Sequence, residues 1–194
     1  ELGNLDKSFF TTDRRSKNKA ASGFLPSDVV AGTDGALFVS DWNSHTNARG
    51  SGNSLGGIFR IAKKDAKVKL PKLDFSTTAG LLEALKSPAP GVRWVAQDRL
   101  SKQENFFEEL TAFLTANEGN HYYVARGLFL MARLKNGRGV SFVDEILKSN
   151  DEQMRMVAIR ALRFSEKMPV AAIVEKMVRD PSAAIRREVL AMMR

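Results

Sequence analysis

The sequence predicts a mainly α-helical protein, with about four stacked helix pairs in residues 74–194 preceded by a small three-stranded antiparallel β unit. An apolar residue followed by arginine recurs at spacings of 62 and 31 residues, in Val92-Arg93, Met154-Arg155 and Ile185-Arg186. Short β-prone runs separated by glycine-rich turns lie ahead of these repeats. A fixed period of this length is typical of helix pairs stacked in a row, because no pair buries its apolar face alone.

The composition is that of a folded globular protein. Of the 194 residues, 43% are hydrophobic and 27% are charged. Because these fractions are typical of globular proteins, we do not expect disorder along the whole chain. No apolar run approaches the roughly 18 residues that a membrane-spanning helix needs. The chain has no cysteine, which excludes disulfides, thiolate catalysis, cysteine-ligated zinc and c-type haem attachment within these residues.

The positive charge is unevenly distributed along the chain. The net charge is +8, and residues 1–73 carry 12 Lys and Arg against 7 Asp and Glu, whereas residues 74–194 carry 18 against 15. The excess lies in two basic runs, Asp13–Lys19 and Lys63–Lys72. We interpret both runs as solvated loop or linker charge, with a phosphate-binding patch as the alternative. Nucleic acid is therefore not the partner that the charge pattern favours.

The β signals come first along the chain. Two β-prone runs, Asp28–Gly32 and Ala36–Ser40, flank an Asp34-Gly35 dipeptide. Such a dipeptide favours a tight hairpin, because the turn requires positive φ and glycine adopts it without steric cost. After a polar loop, Gly56-Gly57 introduces a third run, Ile58–Ile61. We expect three antiparallel strands, which need a partner sheet or helix to be stable.

Helical periodicity begins at Leu73. Apolar residues recur at intervals of three and four along eight segments. Asp180-Pro181 is a helix start, since aspartate accepts hydrogen bonds from unpaired amide groups and proline suits the first helical position. Ser87-Pro88 and Ser149-Asn150 occupy the equivalent places. We predict eight helices in four pairs, of which the second pair turns at Asn117–Asn120 and lacks the repeat arginine.

A longer stretch resembles a known family. The segment FLPSDVVAGTDGALFVSDW, a glycine-rich polar loop and GGIFRI resemble the last blade of the sorbosone-dehydrogenase-like β-propeller of membrane-bound dehydrogenases. In that family the blade leads through a lysine-rich linker into HEAT-like repeats, and many members end in a cytochrome c domain. The linker and LDFSTTAGLLEALKSPAPGVRWVAQDRL match that continuation, so the resemblance covers about residues 24–102. It implies a HEAT-like α-solenoid preceded by a propeller-blade remnant.

The resemblance also implies a larger secreted or periplasmic parent with electron-transfer or dehydrogenase-like function. Quinone, calcium or haem c are the cofactors implied for that parent, and the blade loop would offer Asp41, His45 and Arg49 to a cofactor. A plain loop or scaffold role is the alternative for these three residues. This chain has one blade and no CxxCH motif, so we expect no cofactor in this segment.

The two ends of the sequence suggest a segment of a longer protein. There is no initiator Met or signal peptide, and the chain stops within a predicted helix. We expect two domains, at residues 1–73 and 74–194, with no predicted element in residues 1–23. The apolar Met192-Met193 edge would end the array uncovered, so further repeats are expected.

The repeat arginines Arg93, Arg155 and Arg186 allow two interpretations. They could form a basic ladder for an anionic partner, or each could bind the turn before its own helix. We favour the structural interpretation, because Asp180 lies shortly before Arg186 and is placed to accept such a bond. The other two repeats have serine at that position, so a complete aspartate ladder is not expected.

Four residues on the second helices are candidates for binding a partner: Trp94, Arg99, Arg126 and Arg160. Trp94 and Asp98 lie one turn apart, an arrangement similar to that of DNA-alkylation-repair glycosylases, in which an aromatic ring and a carboxylate stabilise a cationic damaged nucleoside. The alternatives are an indole that covers the first seam between repeats and arginines that are ordinary solvated charge. His121 has no partner at metal-ligand spacing and is expected at the surface.

No catalytic constellation is present in the sequence. There is no GxSxG, Walker-type loop or HExxH, and no Cys or His pair at zinc-ligand spacing. We predict a non-catalytic helical-repeat scaffold or protein-interaction segment of a larger secreted, dehydrogenase-like, haem-associated protein. Its partners would be another protein or neighbouring domains of the same parent. The alternatives are part of a quinone- and calcium-dependent sugar or alcohol dehydrogenase, and a nucleic-acid-binding HEAT-like protein.

Overall fold

The computed structural model describes residues 26–41, 57–63, 70–135 and 137–193. These residues form three β-strands followed by eight α-helices. The predicted fold class, mainly helical with a small antiparallel sheet ahead of the helices, is confirmed. The described residues divide between two compact units, one within residues 1–71 and 88–90 and the other within residues 72–87 and 91–194.

The sheet contains three short antiparallel strands in the order β1-β2-β3: β1 (Pro26–Ala31), β2 (Leu37–Asp41) and β3 (Gly57–Ile61). On the central strand, Val39 lies opposite Val29 of β1 and Phe59 of β3. Val39 is buried, whereas Val29 is 58% exposed and Phe59 is 48% exposed. The described strands therefore bury apolar side chains mainly along the centre of the sheet.

The turn between β1 and β2 forms at the predicted Asp34-Gly35 dipeptide. Gly32 N–H donates to Ala36 O and Gly35 N–H donates to Gly32 O, so the turn is tight and Gly35 takes a φ of +80°. The Asp34 carboxylate accepts from Arg60 Nη2 of β3 at 2.6 Å and from Ala36 N–H at 3.0 Å. The bond from Arg60, and then that from Ala36, lowers the pKa of Asp34.

The eight helices form four pairs: α1 (Thr78–Ala84) and α2 (Pro90–Ser101), α3 (Phe107–Ala116) and α4 (His121–Met131), α5 (Arg138–Ile146) and α6 (Glu152–Arg163), α7 (Val170–Met177) and α8 (Ala183–Ala191). The starts of the second helices α2, α4, α6 and α8 are separated by one constant interval, equal to the spacing between Arg155 and Arg186. The starts of the first helices are separated by nearly the same interval. The second pair therefore follows the same period as the other three pairs, although it has no repeat arginine.

Two second helices begin two residues later than the sequence predicts. Asp151 caps α6 and Ser182 caps α8, and each side chain accepts hydrogen bonds from the main-chain N–H groups two and three residues further on. The predicted caps form a turn just before them: Asp180 accepts from Ser182 N–H at 2.8 Å, and Ser149 accepts from Asp151 N–H at 3.1 Å. Short polar side chains favour both kinds of turn, which is why the start was misplaced from the sequence alone. Helix α2 likewise begins late, at Pro90.

One continuous apolar core runs through the helix pairs. Helix α4 packs against α6 and α6 against α8, while α3, α5 and α7 each pack against the helix that follows. All four pairs contribute to the largest fully buried side chains: Leu81, Leu85, Leu100, Phe106, Leu110, Leu128, Leu130, Met131, Ile159, Leu162, Ile173 and Ile185. Each pair therefore depends on its neighbours for burial, as in other stacked repeats.

Candidate interaction surface on the second helices

The three repeat arginines bind the turn that precedes their own helix. Arg93, Arg155 and Arg186 each donate from Nη1 to the main-chain carbonyl six residues earlier, at 2.8, 2.8 and 2.6 Å respectively. The acceptors are the carbonyl oxygens of Ser87, Ser149 and Asp180. Because every residue has a main-chain carbonyl, this bond does not require a particular side chain at the acceptor position.

The carboxylate of Asp180 binds the arginine of the preceding helix pair. It accepts from Arg155 Nε at 2.8 Å and from Arg155 Nη2 at 3.0 Å, and both side chains are buried. The sequence suggested Arg186 as the partner of this side chain, but Arg186 Nη1 donates to the main-chain oxygens of Asp180 and Pro181. The bond from Arg155 is the main cause of the lowered pKa of Asp180, and the same ion pair raises the pKa of Arg155.

The junction between the second and third pairs has apolar and neutral residues at the corresponding positions. Val124 occupies in α4 the place that Arg155 occupies in α6, and Ser149 occupies the place of Asp180. Both members of the ion pair are replaced together, so neither junction requires an unpaired buried charge at these positions. The spacing of 25 residues from Arg155 to Asp180 is the sequence signal for this contact, which joins two repeats and not a helix with its own turn.

Arg126 connects the second helix pair to the first. It donates from Nη1 to Leu85 O, at the C-cap of α1, over 2.6 Å. Its guanidinium also lies 5.4 Å from the centre of the Tyr123 ring. Burial lowers the pKa of Arg126, with a smaller effect from the charge of Arg93. This candidate for partner binding is thus engaged within the helical unit, where it satisfies a carbonyl at a helix end.

Arg99 and Arg160 are also engaged within the chain. Arg99 donates to the main-chain oxygen of Phe75 at 3.0 Å, and its guanidinium lies 5.5 Å from the centre of the Phe75 ring. Arg160 binds both carboxylate oxygens of Glu188 on α8, at 3.0 and 2.9 Å. Their ion pair raises the pKa of Arg160 and lowers that of Glu188. These contacts favour a structural role for the arginines that we considered for partner binding.

Trp94 lies on the surface of α2. Trp94 is 69% exposed, which favours an accessible indole over one that covers the first seam between repeats. Asp98, one turn further along α2, forms an ion pair with Lys102 at 2.7 Å. Of the two residues that suggested a damaged-nucleoside site, the aromatic ring is accessible and the carboxylate is already paired.

A groove lies between the first halves of α4 and α6. Its volume is about 480 Å³, and its lining comprises Gly119, Asn120, His121, Tyr122, Ala125, Gln153, Met154 and Val157. Tyr122 is 77% exposed, and Ala125, Met154 and Val157 contribute apolar surface. A second hollow of about 310 Å³ adjoins it along α6 and shares Gln153 and Val157. Together the two hollows form an open, mostly uncharged surface that we call the second-helix groove.

His121 lies at the polar end of the second-helix groove, at the first position of α4. Its Nδ1 is 3.1 Å from Gln153 Oε1 and its Nε2 is 3.7 Å from Asp151 Oδ2. These contacts connect the start of α4 with the start of α6. His121 is exposed, as the sequence predicts, and the described residues contain no group of three His, Asp or Glu side chains that could hold a metal ion.

The blade-loop residues are placed only in part. Asp41 is the last residue of β2, opposite Pro26 of β1 and Gly57 of β3. His45 and Arg49 lie outside the described residues. A cofactor role for Asp41, His45 and Arg49 therefore stays a prediction from the resemblance.

Comparisons with protein-family models, with curated proteins and with solved structures found no match. In the ranges that the structure describes, no helix is both long enough and apolar enough to cross a membrane. The fold and the surface together define a helical-repeat protein whose second helices carry an open groove.

Proposed function

We propose that the helical repeats are a non-catalytic scaffold that binds a segment of a protein partner in the second-helix groove. The observation that carries the proposal is the position of Tyr122, which is 77% exposed beside a groove with apolar lining from two neighbouring repeats. Exposed tyrosines are among the residues that contribute most to binding at protein interfaces, because they bury a large area at low entropic cost.

The chemistry of the groove suits a protein segment. Ala125, Met154 and Val157 offer apolar contact, and methionine adapts its shape to different side chains. His121 and Gln153 add hydrogen-bonding groups at the rim. An apolar centre with a polar rim is the usual composition of a protein interface.

The arginine contacts favour this proposal over the nucleic-acid alternative. Binding to a phosphate backbone needs several basic side chains that are available to the ligand. Arg126 and Arg160 donate to Leu85 O and to Glu188, respectively. Apart from Glu152, Arg160 and His121, the second-helix groove is lined by uncharged residues.

The resemblance to membrane-bound dehydrogenases supports a place for this scaffold in a larger secreted or periplasmic protein. In such a parent, the repeats would hold the propeller at a defined distance from another domain or from a separate protein. Quinone, calcium or haem c would belong to the parent. The catalytic role of the parent is part of this proposal and rests on the quoted motifs alone.

The test replaces Tyr122 with a photocrosslinking phenylalanine analogue in the natural full-length protein, in the cells that produce it. We expect one discrete crosslinked protein, identified by mass spectrometry. The matched control places the same analogue at Phe164, which is 58% exposed at the opposite end of α6. Ala125→Arg, which introduces a large charged side chain into the groove, should abolish the crosslink at position 122 without changing the helical circular dichroism. Equal crosslinking from both positions, or none from position 122, would contradict the proposal.

A further inference from the structure

The end of the fourth helix pair exposes residues whose counterparts in the second and third pairs are buried. Leu190 is 55% exposed and Met193 is 63% exposed. Their counterparts one repeat earlier, Ile159 and Leu162, are fully buried on α6, which packs against α8. The corresponding residues of α4, which packs against α6, are also buried: Leu128 and Met131. In the second and third pairs, where the second helix packs against that of the next pair, both positions are therefore buried.

Arg186 lies on the same side of α8 as Leu190 and Met193, and part of its guanidinium is unpaired among the described residues. Its Nη1 binds the main-chain oxygens of Asp180 and Pro181, as Nη1 of Arg155 binds Ser149 O and Asn150 O. In Arg155, the remaining edge of the guanidinium, Nε and Nη2, binds the carboxylate of the next pair. Among the described residues, the same edge of Arg186 has no hydrogen-bond partner.

We propose that this end face, defined by Arg186, Leu190 and Met193, binds a further helix pair of the same repeat type that supplies a carboxylate to Arg186. The three residues follow one another at spacings of four and three, which places them along one side of the helix end. The third pair presents Arg155, Ile159 and Leu162 in the same order to the fourth. The occupant has to combine an apolar helix face with an Asp or Glu in the turn before its second helix.

A second copy of this chain does not meet that requirement. If its first helix pair stacked on the end face, Ser87 would stand where Asp180 stands in the fourth pair. Serine supplies no negative charge, so Arg186 would lose solvent without gaining an ion pair, which is unfavourable. Charge complementarity therefore selects a separate acidic helix pair over self-stacking.

The experiment gives the whole chain a defined occupant. A second copy of residues 164–194 is appended after Arg194, which continues the repeat period and places a copied Asp180 as far beyond Arg186 as Asp180 itself lies beyond Arg155. Hydrogen exchange is then compared along α8. We expect exchange in α8 to slow by about tenfold or more, toward the rate in α6, because the appended pair must dissociate before α8 opens. We also expect Tm to rise by roughly 5 °C.

The matched control carries Asp180→Asn in the appended copy only, so the original chain is unchanged. It should lose most of the protection of α8. Protection that is unaffected by the extension, or equal in the Asp and Asn versions, would overturn the proposal. A chain of residues 1–194 that dimerises in sedimentation, and is dispersed by Leu190→Glu, would assign the face to a second copy and would also overturn it. The end face shares no residue with the second-helix groove, so this result is independent of the proposed function.

Discussion

Two successive junctions of the repeat array are built differently at equivalent positions. Between the third and fourth pairs, Arg155 and Asp180 form a buried ion pair with two hydrogen bonds, at 2.8 and 3.0 Å. Between the second and third pairs, Val124 and Ser149 stand at the same two positions. Both junctions nevertheless stack a second helix on the next second helix: α4 on α6 and α6 on α8.

Stacking of the helix pairs therefore does not require the ion pair. Each junction has a buried apolar residue at the equivalent position, Leu128 on α4 and Ile159 on α6. Burial of such apolar side chains is the main stabilising contribution. The cost of desolvating two charges offsets much of the attraction between them. An ion pair held through two bonds does restrict how the two helix pairs can slide past one another.

The largest expected effect comes from removing one member of the ion pair. Arg155→Ala should lower the free energy of unfolding by roughly 3 to 5 kcal/mol, because Asp180 is left buried without its partner. Urea unfolding monitored by circular dichroism measures this loss. A loss below about 1 kcal/mol would show that water replaces the arginine at little cost.

The second prediction contrasts the covered and uncovered ends of the array. Ile159→Ala should cost about 3 kcal/mol, because it leaves a cavity in a fully buried site. Leu190→Ala, at the equivalent exposed position, should cost less than about 0.5 kcal/mol in the chain as it stands. Thermal or urea unfolding of the two variants provides the comparison, and similar losses would indicate that Leu190 is covered in solution.

The third prediction converts one junction into the other. Arg155→Val combined with Asp180→Ser recreates the residues found between the second and third pairs. We expect a total loss of about 1 to 2 kcal/mol, smaller than that of Arg155→Ala alone, because no unpaired charge remains. A double-mutant cycle measures the coupling. Additive losses would mean that the two side chains act independently.

The fourth prediction concerns pH. The pKa of Asp180 is lowered in the folded protein, first by Arg155, so its stabilising contribution is present above the unfolded pKa of about 4 and is lost as the pH falls through the folded value. The difference in stability between the natural chain and the Arg155→Val, Asp180→Ser variant should therefore narrow below about pH 4. Urea unfolding of both chains from neutral to strongly acidic pH measures it, and a constant difference would contradict the role of the charge.

The smallest effect is expected at the outer ion pair of the same junction. Arg160 is 53% exposed at its side chain and Glu188 is 20% exposed, so solvent screens much of their attraction. Arg160→Ala should cost less than about 1 kcal/mol. The loss should shrink further at high salt concentration. An effect as large as that of Arg155→Ala would show that exposure does not separate the two ion pairs.

Much of the fold follows from local patterns in the sequence. The intervals of three and four between apolar residues predict the eight helices, and Asp34-Gly35 predicts the turn between the first two strands. Both signals are local, because a helix face and a tight turn are determined by residues a few positions apart. The regular spacing of the other repeat arginines identified the period even though Val124 replaces the arginine of the second pair.

Local sequence patterns did not predict the contacts between repeats. The partner of the Asp180 carboxylate lies on the preceding helix pair, so assigning it requires knowledge of how neighbouring pairs stack. The bond from Arg126 to Leu85 O spans 41 residues and uses a main-chain acceptor, which leaves no mark in the sequence. The start of α8 was misplaced at Asp180 because aspartate favours both a cap and the turn before a cap. The second-helix groove depends on the fold in the same way, since Tyr122 and Val157 belong to different repeats.

The constant interval between the starts of the second helices has a consequence for how such a gene can change. A duplication or deletion of one whole repeat preserves the helix caps and the bond from a repeat arginine to the carbonyl six residues earlier, because each depends on residues close together in the chain. The buried carboxylate of Asp180, by contrast, binds Arg155 of the preceding repeat. A recombination event that moved this repeat alone would therefore be tolerated best where the preceding unit already encodes arginine, which restricts the order in which repeats can follow one another.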